Sequence, residues 1–115
     1  MAYMLLILEP PGQRASRTAA QGRDTYQKML DYSAGLRKRG VLIASDALKS
    51  EAVRFGQHNG HAQRLDGPFT ESKELIGGFL LLDCQSGEEA LGFARECPAA
   101  AWATIEIREL GTCYE

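Results

Sequence analysis

Histidine and tryptophan are scarce in this 115-residue chain, with two copies of the first and one of the second. The apolar runs 4–8 and 79–82 stop far short of the roughly 18 residues needed to cross a bilayer, and no basic segment with a cleavage site precedes the first. A basic surplus is missing too. Thirteen Lys and Arg against fifteen Asp and Glu leave a net charge of -2, which argues against a nucleic-acid or anionic-membrane partner. The three cysteines, Cys84, Cys97 and Cys113, are odd in number and lack a Cys-x-x-Cys spacing, so free thiols are expected rather than a disulfide framework. No histidine lies near them in sequence, which weakens a nucleophilic reading. The expectation is a cytoplasmic protein of one domain, residues 1–115, with no cofactor.

What is present orders itself along the chain. Tyr3-Met4-Leu5-Leu6-Ile7-Leu8 is a continuous apolar run ended by Pro10-Pro11-Gly12, and reads as a strand buried on both faces or nearly so. Residues 13–22 are small and polar and read as a loop grading into a helix. Asp24 with Gln27 suggests a capping box, after which Tyr26, Met29, Leu30, Ser33 and Leu36 share a helical face. Arg37-Lys38-Arg39 suits the negative end of the helix dipole, and Gly40 supplies a left-handed stop. A strand follows from Val41. Ala52-Val53-Arg54-Phe55 alternates, and Asn59-Gly60 is a hairpin signal that returns the chain through Ala62-Gln63-Arg64-Leu65. After a strand at 79–82, Ser86-Gly87-Glu88-Glu89 caps a second helix that Pro98 breaks. Thr104-Ile105-Glu106-Ile107-Arg108-Glu109-Leu110 alternates as a final strand.

This order predicts an α+β domain on the ferredoxin-like βαββαβ plan with an extra hairpin strand, both helices covering one sheet face. The other face carries too few polar side chains to be left wet. A homodimer packed sheet to sheet is therefore expected.

Asp66-Gly67-Pro68-Phe69, followed by Thr70-Glu71-Ser72-Lys73-Glu74 and the run 76–83, resembles the DGPF branch of the YCII-related proteins. The opening strand, Gly40-Val41-Leu42 and the ending from Cys97-Pro98 through Arg108 are similar to the family as well. The resemblance implies a dimeric α/β barrel, a homodimer, and a pocket between helices and sheet or at the dimer interface. It also implies a His-Asp dyad with its histidine on the first helix, and one relative removes chloride from a chlorinated hydroxyquinol. Here the matching position holds Met29, and residues 13–40 contain no histidine.

Asp66 is the candidate catalytic group: a carboxylate at a turn beside Phe69 can exchange a proton if burial raises its pKa. As a turn residue it can equally cap the backbone while Gly67 and Pro68 set the dihedrals. Phe69 walls a pocket or anchors the loop. Glu71 and Lys73 share a face of extended chain, where they hold a small anion or each other. Arg108, if it faces inward, can clamp a carboxylate or enolate. Trp102 lines a cavity or an interface. His58 and His61 flank the Asn-Gly turn, but spacing fixes no third ligand, so no metal is assigned. Two functions follow. One is a cofactor-independent lyase or isomerase acting on a small-molecule ligand through Asp66. The other is a non-catalytic ligand-binding or regulatory dimer, which the resemblance links to extracytoplasmic-function sigma factors.

Overall fold

The structure, a computed structural model, describes residues 1–67, 69 and 73–114. Of the candidate site residues, Pro68 and Glu71 lie outside the described residues. The elements run β1 (Ala2–Glu9), α1 (Ala19–Lys38), β2 (Leu42–Ala47), β3 (Ala52–His58), β4 (His61–Gly67), β5 (Leu75–Asp83), α2 (Gly87–Glu96), a 3-10 turn (Pro98–Ala101) and β6 (Thr104–Glu109). Four strands form one antiparallel sheet in the order β2-β5-β1-β6. With two helices on one side, this is the expected ferredoxin-like arrangement.

The first strand departs from its sequence reading in an informative way. Tyr3, Leu5, Ile7 and Glu9 are buried, whereas Ala2, Met4, Leu6 and Leu8 are half-buried. Register places Leu5 between Leu80 and Ile107 on the helix side, and Leu6 between Phe79 and Glu106 on the other. The core is therefore one-sided: Tyr3, Leu5, Leu80 and Leu82 pack with Leu36 of α1 and Ala90 and Phe93 of α2. On the second face, Met4, Leu6, Phe79 and Leu81 are half-buried beside Glu106 and Arg108 of β6.

The first helix starts six residues before the proposed Asp24 cap. Thr18 is the N-cap: its hydroxyl accepts from the Gln21 N–H at 3.1 Å, and the Gln21 side chain accepts from the Thr18 N–H at 2.9 Å. Asp24 instead pairs with Lys28 one turn on, and Gln27 donates to Asp31. The periodicity of 26–36 was correctly helical, but the small residues before it continue the helix because alanine and glutamine favour it. At the far end Gly40 takes φ 77° and the Val41 N–H returns to the Leu36 carbonyl at 3.0 Å, a Schellman stop. Arg39 then bridges to Glu96 and lies over the Phe93 ring, joining the ends of the two helices.

Asn59 (φ 53°) and Gly60 (φ 77°) form the hairpin turn, and β3 and β4 pair from Ala52↔Gly67 to His58↔His61. Two left-handed residues in succession are what a type I′ turn requires. The hairpin is a separate two-stranded sheet rather than an extra strand of the main one. Val53, Phe55 and Leu65 are exposed on it. The radius of gyration, 15.9 Å, exceeds the roughly 13 Å of a compact chain this long, as a projecting arm requires.

Cys84 and Cys97 are buried and Cys113 is exposed, all three as free thiols. Burial pushes the Cys84 and Cys97 thiols up from their ordinary value. Each group's contribution to stability is thus present below the pKa of the unfolded thiol and lost as pH rises through the folded one. One thiol per chain should react with a disulfide reagent at pH 8 in the native protein and three in denaturant; prompt reaction of all three in buffer would contradict this burial. Leu80→Ala, at a fully buried position, should cost about 2–5 kcal/mol in chemical denaturation.

Candidate functional site

The site grows from one charged residue at the end of an apolar strand. Glu9 is buried, and its carboxylate lies over Gly77 in the space a Cβ would occupy. Register shifts here, with Ile7 opposite Gly78 but Leu8 opposite Ile76, so Gly77 bulges out of the pairing. The loop 10–17 folds back and brings Arg14 onto Glu9, with Nε at 2.9 Å from one carboxylate oxygen and Nη2 at 3.2 Å from the other. Nη2 also donates to the Gly77 carbonyl at 3.1 Å and Nη1 to the Leu48 carbonyl at 2.6 Å. One guanidinium thus ties the ends of β1, β5 and the β2–β3 connection. Gly78 is needed for a second close approach, since a Cβ there would lie 2.9 Å from the Asp46 carbonyl.

Beside this clamp, between α1 and the sheet, is an open cavity of about 650 Å³, within the size range of small-molecule sites. Ile7, Met29, Leu80 and Trp102 give it apolar walls, and Arg17, Ser33 and Lys49 contribute polar groups; Asp46 borders it from β2, paired opposite Phe79. Tyr26 and Leu30, which the helical periodicity assigns to a packed face, line the cavity and are 52% and 43% exposed. Their side of α1 faces space rather than protein. Met29 sits deeper, with the Cys97 Sγ donating to its Sδ at 3.8 Å. Arg17 lies over the Trp102 ring, 5.8 Å from its centroid. The Trp102 backbone is fixed in turn by the Gln13 side chain, whose Nε2 donates to the Trp102 carbonyl at 2.5 Å. The Asp46 carboxylate accepts from the Ala47 N–H at 3.0 Å and meets no cation among the described residues. Nearby but outside the cavity, the Tyr32 hydroxyl donates to the Phe93 carbonyl at 2.6 Å, and burial drives its pKa upward.

Of the residues singled out in sequence, Trp102 lines the cavity. Asp66 is on the hairpin, exposed, with one carboxylate oxygen 3.1 Å from Arg64 Nε. The Phe69 ring folds back over Gly67, where a Cβ would lie 2.6 Å from it, and the Arg54 guanidinium stacks 3.8 Å from the ring centroid. Lys73 is exposed. Arg108 pairs in register with Met4 on the sheet face opposite the helices and is exposed. Within one subunit, these residues are not brought together with Trp102. Among the described residues no three His, Cys, Asp or Glu side chains converge as metal ligands would, and no helix is long and apolar enough to cross a membrane.

Glu9, Arg14, Arg17 and Asp46 were missed in sequence. Two signals pointed there: a glutamate closing an apolar strand before Pro10-Pro11-Gly12, and paired glycines inside β5, which mark close backbone approach.

The model of the YCII-related domain matches residues 1–112. The chain belongs to the YCII-related domain family. An uncharacterized protein of Rhizobium meliloti (strain 1021) is 50% identical over 103 residues, covering 83% of each protein. A similar solved structure is the 5-chloro-2-hydroxyhydroquinone dehydrochlorinase of Burkholderia phenoliruptrix AC1100, in complex with 2,5-dihydroxybenzoquinone. The likeness covers 99% of this chain and 97% of that one, with a TM-score of 0.56 and 18% identity. At that identity the fold is what this YCII-related protein shares with it.

Removing Arg14 leaves the Glu9 carboxylate buried without its cation. Arg14→Met should cost about 2–3 kcal/mol, less than the 3–5 typical of a fully buried pair because the Arg14 side chain is 37% exposed. Gly77→Ala should destabilise comparably by displacing Glu9, and the two losses should be markedly less than additive in a double mutant. Additive losses in urea denaturation would show that the carboxylate and the guanidinium do not act as one unit.

Proposed function

We propose that this YCII-related protein is a homodimeric, cofactor-independent enzyme that moves a proton on a small molecule held in the cavity between α1 and the sheet, as a lyase or isomerase does. The cavity itself carries this reading: it joins apolar walls to a few fixed polar groups, the usual composition of a substrate site. The fold neighbour from Burkholderia phenoliruptrix, which is named a dehydrochlorinase and holds a dihydroxybenzoquinone, supports a small oxygenated ring as the kind of ligand. Two carboxylates compete for the proton. Asp66 is the one the Asp-Gly-Pro-Phe turn suggests; on a projecting hairpin, it acts only if the arm reaches the cavity of a second copy. Asp46 borders the cavity, though its pairing opposite Phe79 turns its side chain toward the other sheet face. The half-exposed apolar face of the main sheet supports the dimer, as do exposed Val53, Phe55 and Leu65.

One observation favours a binding or regulatory module instead. Both histidines are exposed on the hairpin, and a Met29 thioether occupies the cavity wall where the family's helix histidine is expected. A thioether transfers no proton.

A thermal-shift screen of phenols, quinones, lactones and small carboxylates should yield a stabilising ligand, and turnover of that ligand should be followed in wild type, Asp46→Asn and Asp66→Asn. Loss of about 10²–10⁴-fold in one variant, with the ligand still bound, identifies the proton-transfer group. Binding without turnover in wild type would support the regulatory module. Light scattering at micromolar concentration should give twice the monomer mass; a monomer would remove the partner from the site.

A further inference from the structure

The charges around the cavity do not follow those of the chain. The protein carries a net charge of -2, yet four basic residues, Arg14, Arg17, Arg37 and Lys49, line the cavity against two acidic ones, Glu9 and Asp46, a surplus of at least two positive charges. Arg14 is neutralised by Glu9. No carboxylate among the described residues pairs with Arg17 or Lys49. Arg17 is half-buried and held over Trp102, so its guanidinium is ordered by a ring and not by an anion. A partly desolvated cation with no counter-charge is costly to keep, and it attracts an anion to the space beside it.

The geometry points to a ring bearing a carboxylate as the occupant of this cavity, with the carboxylate on Arg17 and the ring against Trp102 and Met29. This rests on the cavity being the small-molecule site. The chemistry of the donors favours a carboxylate: a guanidinium presents two parallel N–H bonds that match its two oxygens. The walls favour a ring, since Trp102 offers an aromatic face and Met29 an adaptable sulfur. Thr18, Ala19 and Gly22 also line the cavity, and the first turn of α1 contains no acidic residue. The positive end of the helix dipole therefore adds to the same field. Lys49 sits at the exposed rim and strengthens that field at the entrance.

Trp102 is the sole tryptophan, which makes its emission, excited at 295 nm, a direct report on the cavity. The probes are benzoate and cyclohexanecarboxylate, with benzamide and cyclohexanecarboxamide as their neutral isosteres. The carboxylates should change the Trp102 emission at concentrations at least about tenfold below the amides. Arg17→Gln should weaken the carboxylates by roughly tenfold or more while leaving the amides within about twofold. Arg17→Lys, which keeps the charge, should recover part of the affinity, and thermal melts of both variants check that they fold. Equal binding of acids and amides, or an undiminished preference for acids in Arg17→Gln, would overturn the assignment to Arg17 while leaving the cavity a small-molecule site. Failure of every probe to perturb Trp102 would count against both.

Discussion

A carboxylate buried at the end of a strand is the constraint on which the rest of this structure depends. Glu9 continues the inward-facing series Tyr3, Leu5, Ile7 into a position where a charge is expensive to bury. Its partner Arg14 lies five residues on, beyond Pro10-Pro11-Gly12. The chain must therefore double back at once, and α1 begins from a point fixed over the end of the sheet. The bulge at Gly77 and the bond from Arg14 to the Leu48 carbonyl follow from the same need. Because the clamp fills the gap at the end of the sheet, the face of α1 bearing Tyr26 and Leu30 lines open space instead of packing onto β5. The cavity is what remains between a helix held at one end by Arg14 and at the other by Leu36.

The elements were legible because their signals are local. Asn59-Gly60, Gly40, Ser86 and the alternation of 104–109 each specify a backbone conformation from a few neighbouring residues, and the element order then leaves few topologies. The start of α1 was misplaced because two capping boxes, Thr18–Gln21 and Asp24–Gln27, lie within ten residues, and Ala19-Ala20 lets the helix begin at the first. The site was much less legible. Its residues come from the end of β1, the loop after it, β2, β5 and the turn before β6, and no spacing in sequence expresses that convergence. Trp102 was accessible to sequence reasoning as a rare large aromatic. Arg17 was not, because an arginine in a small polar segment looks like any solvated one until Trp102 is seen beneath it.

The same one-sidedness that creates the cavity leaves apolar surface elsewhere. Met4, Leu6, Leu8, Phe79 and Leu81 share the sheet face away from the helices, where they are half-buried. Glu106 and Arg108 stand opposite Leu6 and Met4 at the β6 edge, so the apolar patch is rimmed by charge on one side, the pattern of an association surface rather than of misplaced core. The hairpin presents a second such surface, and its separation from the main sheet is consistent with a role outside its own subunit. Asp66, Gly67 and Phe69 belong to that arm. At the base of the arm Arg54 stacks on Phe69, and Asp66 pairs with Arg64.

Whether the proposed ligand is turned over depends on which charges change during the reaction. A carboxylate resting on Arg17 keeps its charge from ground state to transition state, so that contact contributes to affinity and little to rate. Rate enhancement requires groups that meet charge as it develops. Within one subunit the fixed cation nearest to that description is Arg14, but its guanidinium is already committed to Glu9 and two backbone carbonyls. A chain built this way has charge and walls that suit the proposed anionic ring, but Arg14 is not free to meet charge developing on it. A completing group carried on the hairpin arm of a second copy is the form in which the proposed dimer would make the hairpin and the cavity parts of one site.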